Sequence, residues 1–244
     1  MTPMNDALLQ EVLDAPPVLR PLDDFSGSLA NRVYLSLKQA ILSLALRPGE
    51  IIRKPEICEI LGVSRSPVSE AVARLATEAL VDIIPQAGTF VARFSMDEIR
   101  EGAFLRQALE LAAVERVAET ITQEQLMQLR RNLRVQSASI DDHDFAGFYK
   151  LDAEMHEMIL SFTGFRRLAS LADTSWVHVN RARQLILPAP GRVEATLLEH
   201  QAIFAALEAR DPVRAREATR HHLGQLVTVL EPLVERRPDL FAPG

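Results

Sequence analysis

The sequence predicts a mainly α-helical protein with a small amino-terminal unit and a larger carboxy-terminal bundle of about six helices. Three observations lead to this fold class. The chain has 244 residues, of which 48% are hydrophobic, so it can bury the cores of two ordinary domains. Apolar residues recur at the spacing of an amphipathic helix along most of the chain. Strand signals are confined to two short β-branched runs, "LVDII" and "GTFVAR", both before Phe94.

The elements of the amino-terminal unit follow from the pattern of residues 29–94. Residues 1–28 are acidic and interrupted by prolines, which predicts a flexible arm. The first helix begins at Leu29, and "PEICEILGV" predicts a short second helix that ends at Gly62. The third helix lies in "SRSPVSEAVARLATEAL", with Ser66 as its predicted N-cap. The two strand runs, separated by "PQAG", complete the unit as a small hairpin.

The carboxy-terminal domain, residues 95–236, is predicted to contain only helices. Capping boxes in "SMDE" and "TQEQ" start the first two, and Gly164 ends the third. A fourth helix is predicted from Phe165 to Leu187, and the last two flank the turn "ARDP". Residues 237–244 are predicted to form a tail.

Composition excludes several classes of protein. No window approaches the roughly eighteen uninterrupted apolar residues of a membrane span, and the amino terminus lacks the pattern of a secretory signal. We therefore expect a cytoplasmic protein that is not bound to a membrane. The single cysteine, Cys58, excludes an internal disulfide and a C-x-x-C metal site, so any metal would need histidine and carboxylate ligands.

The charge distribution singles out the amino-terminal unit. The whole chain has a formal charge of −6, but residues 29–94 hold eight Lys or Arg against six Asp or Glu. Helix, glycine-containing turn and helix is an arrangement that places the last helix in a DNA major groove. Ser64, Arg65 and Ser66 occupy the start of that helix, where hydroxyls, amides and a guanidinium can contact phosphate or guanine. The alternative is a surface turn with a capping serine, and spacing alone leaves both open.

The run from "LKQAILSLALRPGE" to "QAGTFVA" resembles, over its whole length, the winged helix-turn-helix domain of GntR-family bacterial transcription regulators. The motifs "LRPGE", "LGVSRSPVSEAVARL" and "QAGTFV" carry the resemblance. It implies that Ser64, Arg65 and Ser66 contact double-stranded operator DNA and that Gly88 lets the wing approach the DNA backbone. Two such heads would read two half-sites, so we expect a homodimer.

Three positions depart from the family pattern. Ser69, which we keep among the predicted DNA-binding residues, stands where the family usually has a second recognition arginine. Arg53 replaces the usual Ser or Thr cap of the second helix, and Pro55 replaces a DNA-contacting arginine of some members. We expect these departures to alter operator sequence and affinity, since one lost arginine contact typically costs about 1 to 3 kcal/mol.

Four residues of the carboxy-terminal domain can converge on one point. Asp152 and His156 lie one turn apart on one helix face. His200 and His222 lie eleven residues before and after Asp211, so they are level across an antiparallel helical pair that turns at "ARDP". A lone histidine is more often a surface or satisfied residue, but three imidazoles and one carboxylate would bind a divalent metal. Zn²⁺ is our first choice, and Ni²⁺ or Mn²⁺ also fit.

The same residues resemble the FCD-type effector domain of the FadR subgroup of GntR regulators. The motifs are "LDAEMHEMI", "EHQAI", "TRHHL" and "LRQALELAA". The resemblance implies that Asp152, His156, His200 and His222 bind the metal, and that Arg106 holds the carboxylate of an effector.

Other roles for the polar residues of this domain stay open. Arg106 can instead form an exposed pair with Glu110. Asn180, Arg181 and Arg183 lie on a helix that should line the same cavity, and we include Asn180 and Arg183 among the predicted effector-binding residues, although two of the three could be solvated.

The leading hypothesis is a transcription regulator whose DNA affinity is controlled by a small carboxylic acid bound beside the metal. The alternatives are a metal sensor and a metal-dependent hydrolytic enzyme acting on a small organic acid. Glu157 and Glu199 adjoin the predicted ligands, but neighbours on a helix point about 100° apart, which is poor placement for a general base. We therefore predict that the protein is not an enzyme.

Overall fold

A computed structural model describes residues 9–10, 13, 19–168, 176–186 and 191–243. The described residues form two compact units. The first comprises those up to residue 96, together with 180–184 and 233–243, and the second comprises 97–179 and 185–232.

Three helices form the centre of the first unit. They are α1 (Leu29–Leu42), α2 (Lys54–Leu61) and α3 (Arg65–Thr77). The Ser28 hydroxyl accepts a hydrogen bond from the backbone N–H of Asn31 and so caps α1. Helices α1 and α3 pack against each other through apolar faces spaced at three and four residues. The buried residues of these faces are Val33, Leu37, Ile41, Val68, Val72 and Leu75.

Strands β1 (Val81–Ile84) and β2 (Gly88–Val91) form the predicted antiparallel hairpin, with Val81 opposite Val91. Backbone hydrogen bonds join residues 49–52 to β2, such as the bond from Ile52 N–H to Thr89 O. Gly88 has φ 133°, a conformation that favours glycine.

The second unit contains five long helices and one shorter helix among the described residues. They are α4 (Met96–Thr120), α5 (Gln123–Asp141), α6 (Phe145–Phe162), α7 (Val177–Ile186), α8 (Arg192–Glu208) and α9 (Pro212–Arg236), with α7 divided between the two units and the end of α9 in the first. Thr122 and Gln125 form the predicted capping box of α5. Helix α5 packs against both α6 and α8. Leu129, Met155 and Ile203 lie at the centre of the resulting core.

Two boundaries differ from the sequence prediction. Helix α3 begins at Arg65, with Ser64 rather than Ser66 at the N-cap. A proline such as Pro67 is tolerated within the first turn, where its missing N–H has no helical partner, so the helix can start two residues earlier. Of the fourth predicted helix of the bundle, 166–168 and 177–186 are helical and residue 176 is in a turn, while 169–175 and residue 187 lie outside the described residues.

Three further observations concern segments that the sequence singled out. Arg53 occupies the N-cap of α2 and makes no side-chain capping bond. Leu9 and Leu13, from the segment predicted as a flexible arm, are buried. No helix in the described part of the chain is long and apolar enough to cross a membrane.

Candidate metal centre

Three helices of the second unit bring four candidate ligands together. Helix α6 supplies Asp152 and His156, α8 supplies His200, and α9 supplies His222. All four side chains are buried, and each offers one ligand atom within 4.8 Å of the others. The predicted turn is responsible for part of this arrangement, because Asp211 accepts a hydrogen bond from the Arg214 N–H at the start of α9. The rings of His200 and His222 lie 4.6 Å apart, as their level positions predicted.

Carboxylates hold two of the three imidazoles from behind. Nδ1 of His156 lies 2.6 Å from Glu110 Oε2, and Nδ1 of His222 lies 2.7 Å from Glu199 Oε2. A carboxylate can only accept, so each Nδ1 carries the proton and donates it. Each Nε2 then keeps a lone pair, which is the form of histidine that binds a metal.

An amide chain holds the third imidazole. Asn132 Nδ2 donates to the backbone oxygen of Leu151 at 3.0 Å, and Gln136 Nε2 donates to Asn132 Oδ1 at 2.6 Å. Gln136 Oε1 is therefore the atom that faces His200 Nδ1, at 2.8 Å. His200 must donate this hydrogen bond, so its Nε2 also keeps a lone pair.

These three tautomers direct acceptor atoms towards one another. Nε2 of His156 lies 3.1 Å from Nε2 of His222, and Nε2 of His200 lies 3.1 Å from Asp152 Oδ1. Acceptors at this distance repel each other unless a cation lies among them. Three imidazole nitrogens and one carboxylate oxygen form a donor set suited to a first-row divalent ion. The residues present therefore fit a metal by their chemistry as well as by their proximity.

Charge at the site reinforces the metal-binding form of His156. Burial lowers its pKa, which outweighs the opposite effect of the Glu110 carboxylate and keeps the ring neutral. Burial alone would raise the pKa of Glu110, but the adjacent Arg106 guanidinium and the bond from His156 hold it well below its ordinary value.

Arg106 forms the pair with Glu110 that the sequence allowed, but the pair is buried rather than exposed. Arg106 is 5% exposed and Glu110 2%, and Nε of the arginine lies 2.6 Å from Glu110 Oε1. The guanidinium carbon also lies 5.1 Å from the centre of the Trp176 ring. Arg106 thus lies one side chain away from a candidate metal ligand.

Residues predicted on α7 have varied surroundings. Arg181 and Arg183 are buried and Asn180 is half-buried, so the two arginines are not solvated. The Arg181 guanidinium carbon lies 4.4 Å from the centre of the Phe94 ring, within the first unit. Contact of Asn180 and Arg183 with an effector stays a prediction.

The three remaining histidines lie outside the cluster. His143 and His221 are exposed, and Nδ1 of His178 lies 3.4 Å from Glu98.

Sequence reasoning missed the roles of Glu110, Gln136 and Glu199. A signal existed for the first two, because both lie in phase with apolar residues on the buried faces of their helices. Glu199 offered no such signal, because it adjoins His200 and neighbouring side chains on a helix point about 100° apart.

The predicted DNA-contacting side chains are at the surface of the first unit. Ser64, Arg65, Ser66 and Ser69 are all exposed at the start of α3, and the Ser64 hydroxyl accepts no capping bond. Hydroxyls and a guanidinium are therefore accessible at a helix amino terminus, which is an arrangement suited to phosphate.

Comparisons with known proteins agree with this division of the chain. Residues 29–91 match the gntR family of bacterial regulatory proteins, and residues 101–225 match the FCD domain. The HTH-type transcriptional repressor RspR of Escherichia coli is 30% identical over 211 residues, covering 86% of this chain and 92% of the repressor. An HTH-type transcriptional regulator in an unstable DNA locus of Streptomyces ambofaciens is 32% identical over 210 residues, covering 86% and 88% of the two chains.

Solved structures show the same fold. The E. coli protein McbR/YncC superposes with a TM-score of 0.72 at 22% identity, covering 85% of this chain and 99% of that one.

The matched families and relatives are regulators of transcription and not enzymes, which confirms the prediction that this protein is not an enzyme. The chain therefore belongs to the GntR family of bacterial transcription regulators and carries an amino-terminal GntR helix-turn-helix domain followed by a helical FCD domain.

Proposed function

We propose that the affinity of this regulator for operator DNA is controlled by a small carboxylate that binds beside a divalent metal in the FCD domain. The observation that carries the proposal is the buried convergence of Asp152, His156, His200 and His222, with acceptor atoms facing one another. We propose Zn²⁺ as the metal because it favours nitrogen-rich sites of four ligands, and Ni²⁺ and Mn²⁺ are the alternatives.

The charge around the site supports an anionic effector. Asp152, Glu110 and Glu199 are carboxylates, and two of them are paired with the guanidinium groups of Arg106 and Arg192. With neutral histidines these groups leave one negative charge, which a divalent ion turns into one positive charge. A buried positive charge favours an anion, so a carboxylate near the metal and Arg106 would balance the site. On the sequence pattern, we also propose Asn180 and Arg183 as effector contacts.

For the DNA-binding unit, we assign operator contact to Ser64, Arg65, Ser66 and Ser69, with Gly88 shaping the wing. The exposure of the three serines and of Arg65 supports this assignment. Arg65 supplies the charged contact, and the hydroxyls and helix amides bind phosphate. We also propose that the regulator acts as a homodimer in the cytoplasm, since two heads on two half-sites gain affinity and register.

Effector control requires a difference in affinity between two states. A ligand changes DNA binding only if it prefers one arrangement of the protein over another, and equal affinity for both would change nothing. The proposal therefore predicts that DNA and effector each weaken or strengthen the binding of the other by the same factor.

Two measurements test the proposal. Elemental analysis and native mass spectrometry of gently purified protein should show one metal per chain and the mass of a dimer. Binding to a selected operator fragment, measured by fluorescence anisotropy with chelator, metal and a panel of carboxylic acids, then separates the mechanisms. A response to an acid only when metal is present supports effector control, whereas a response to metal alone identifies a metal sensor.

Substitutions connect these responses to the site. His156→Ala and His200→Ala should remove both metal and acid response. His221→Ala is the matched control, because His221 neighbours His222 on α9 but is exposed. Unchanged metal content in His156→Ala and His200→Ala would show that the metal binds elsewhere.

A further inference from the structure

Two arginine–glutamate pairs lie behind the candidate metal ligands. In the first, Arg106 Nε lies 2.6 Å from one oxygen of Glu110, and the other oxygen of Glu110 lies 2.6 Å from His156 Nδ1. All three side chains are at most 6% exposed. A single carboxylate therefore joins the arginine predicted to bind the effector to a histidine predicted to bind the metal.

The second pair repeats the order on other helices. Arg192 Nη1 and Nη2 donate to both oxygens of Glu199, at 2.9 and 2.6 Å. One of those oxygens lies 2.7 Å from His222 Nδ1. The bidentate pairing fixes the plane of the carboxylate, and the carboxylate in turn fixes the plane of the ring.

We infer that Arg106 and Arg192 are positioning residues of the metal centre, which act on His156 and His222 through Glu110 and Glu199. The inference rests on the proposed function, because it requires that the four-ligand cluster binds a metal. Each guanidinium holds its carboxylate in a fixed orientation towards a ring Nδ1, and the hydrogen bond donated by that Nδ1 leaves the lone pair of Nε2 directed at the proposed metal position. Arg106 would then have a role in metal binding that needs no effector.

His200, the third histidine of the cluster, is held without an arginine. His200 is held by the neutral amide of Gln136, whose orientation is set by Asn132 and not by any charge. A carboxylate left without its arginine, however, is a buried group whose orientation is no longer fixed. Loss of Arg106 or Arg192 should therefore disturb its histidine, although neither arginine contacts the metal.

Metal affinity of the full-length protein, with no acid present, tests the inference. Metal-free protein is titrated with Zn²⁺ against a chromophoric chelator and with Co²⁺, whose visible absorption reports ligand geometry. We expect Glu110→Leu and Glu199→Leu to bind Zn²⁺ roughly 10 to 100 times more weakly than wild type. Arg106→Met and Arg192→Met should show the same direction of change, with shifted Co²⁺ bands.

Conservative variants separate positioning from simple folding defects. Arg192→Lys keeps the charge but loses the two-pronged contact, so its affinity should lie between those of wild type and Arg192→Met. Glu110→Gln keeps an acceptor for the His156 proton and should bind more tightly than Glu110→Leu. Thermal unfolding of each metal-free variant shows that the fold is intact.

A surface pair provides the matched control. Arg216 Nη1 lies 2.6 Å from Glu115 on α4, but both side chains are more than one-third exposed. Arg216→Met should leave metal affinity and the Co²⁺ spectrum unchanged. If Arg106→Met and Arg192→Met fold normally and bind metal within twofold of wild type, the positioning role is refuted while the proposed function stands. If wild type itself binds neither ion, the metal centre and the inference both fail.

Discussion

Replacing Asp152 with asparagine should change the stability of the protein in opposite directions with and without metal. In the wild type, Asp152 Oδ1 and His200 Nε2 are both acceptors and lie 3.1 Å apart. An asparagine amide placed there can donate to Nε2, so a repulsive contact becomes a hydrogen bond. The same change removes the anionic ligand that a divalent ion needs.

The magnitudes follow from these two effects. One buried hydrogen bond contributes about 1 kcal/mol, which raises the midpoint of unfolding by roughly 2 to 4 °C in a protein of this size. Metal at one hundred times its dissociation constant stabilises the wild type by about 2.7 kcal/mol. We therefore expect Asp152→Asn to melt a few degrees above wild type in chelator and several degrees below it in excess Zn²⁺.

Differential scanning calorimetry in chelator and in Zn²⁺ measures both effects on the same preparations. Asp141→Asn serves as the control, because Asp141 is exposed at the end of α5 and should behave like wild type in both conditions. Lower stability of Asp152→Asn than of wild type in chelator would contradict the repulsion between Asp152 and His200, and equal stabilisation of both proteins by Zn²⁺ would contradict metal binding by Asp152.

Three further perturbations test other parts of the molecule. Burial raises the pKa of Glu78, but hydrogen bonds from Lys38 and Tyr34 outweigh it and hold the pKa below its ordinary value. Glu78→Gln should therefore lower the free energy of unfolding by about 1 kcal/mol at pH 7. In urea unfolding, this difference from wild type should disappear as the pH falls through the lowered pKa of Glu78. An equal difference at pH 3 would contradict the role assigned to the charged carboxylate. Phe241 is 4% exposed, so Phe241→Ala should lower the free energy of unfolding by about 3 kcal/mol or more. A decrease of less than 2 °C in the midpoint of thermal unfolding would show that its contacts contribute little. Arg65→Ala should weaken binding to a selected operator by a factor of roughly 5 to 150 in fluorescence anisotropy, and affinity within twofold of wild type would exclude Arg65 from the interface.

Helix positions in this chain were predictable because their signals are local. The apolar spacing of α1, the capping box at Thr122 and the turn at Asp211 each act within a few residues. The start of α3 was less certain, since Ser64 and Ser66 both precede apolar helical positions and either could be the N-cap. Local chemistry did not distinguish them.

The four candidate metal ligands were predictable for a related reason. The distance from Asp152 to His156 is set by one helix, and the level positions of His200 and His222 are set by one turn. Their convergence needed only that this helix and this helical pair pack together. Glu110 and Gln136 instead reach His156 and His200 from separate helices, at sequence separations of 46 and 64 positions. Contacts of that kind depend on packing angles that the sequence pattern does not define.

Periodicity nevertheless contained evidence for the buried outer contacts. Arg106 and Glu110 continue a series of buried positions on α4 that begins at Ile99 and Gly102 and runs on to Ala113. A charged pair in phase with an apolar stripe must be buried, and burial of a charge is tolerated only when it is paired and hydrogen-bonded. The exposed pair considered for Arg106 was therefore inconsistent with its own helix phase. A buried carboxylate also needs a partner for its second oxygen, and in this fold that partner is His156 of the candidate metal centre.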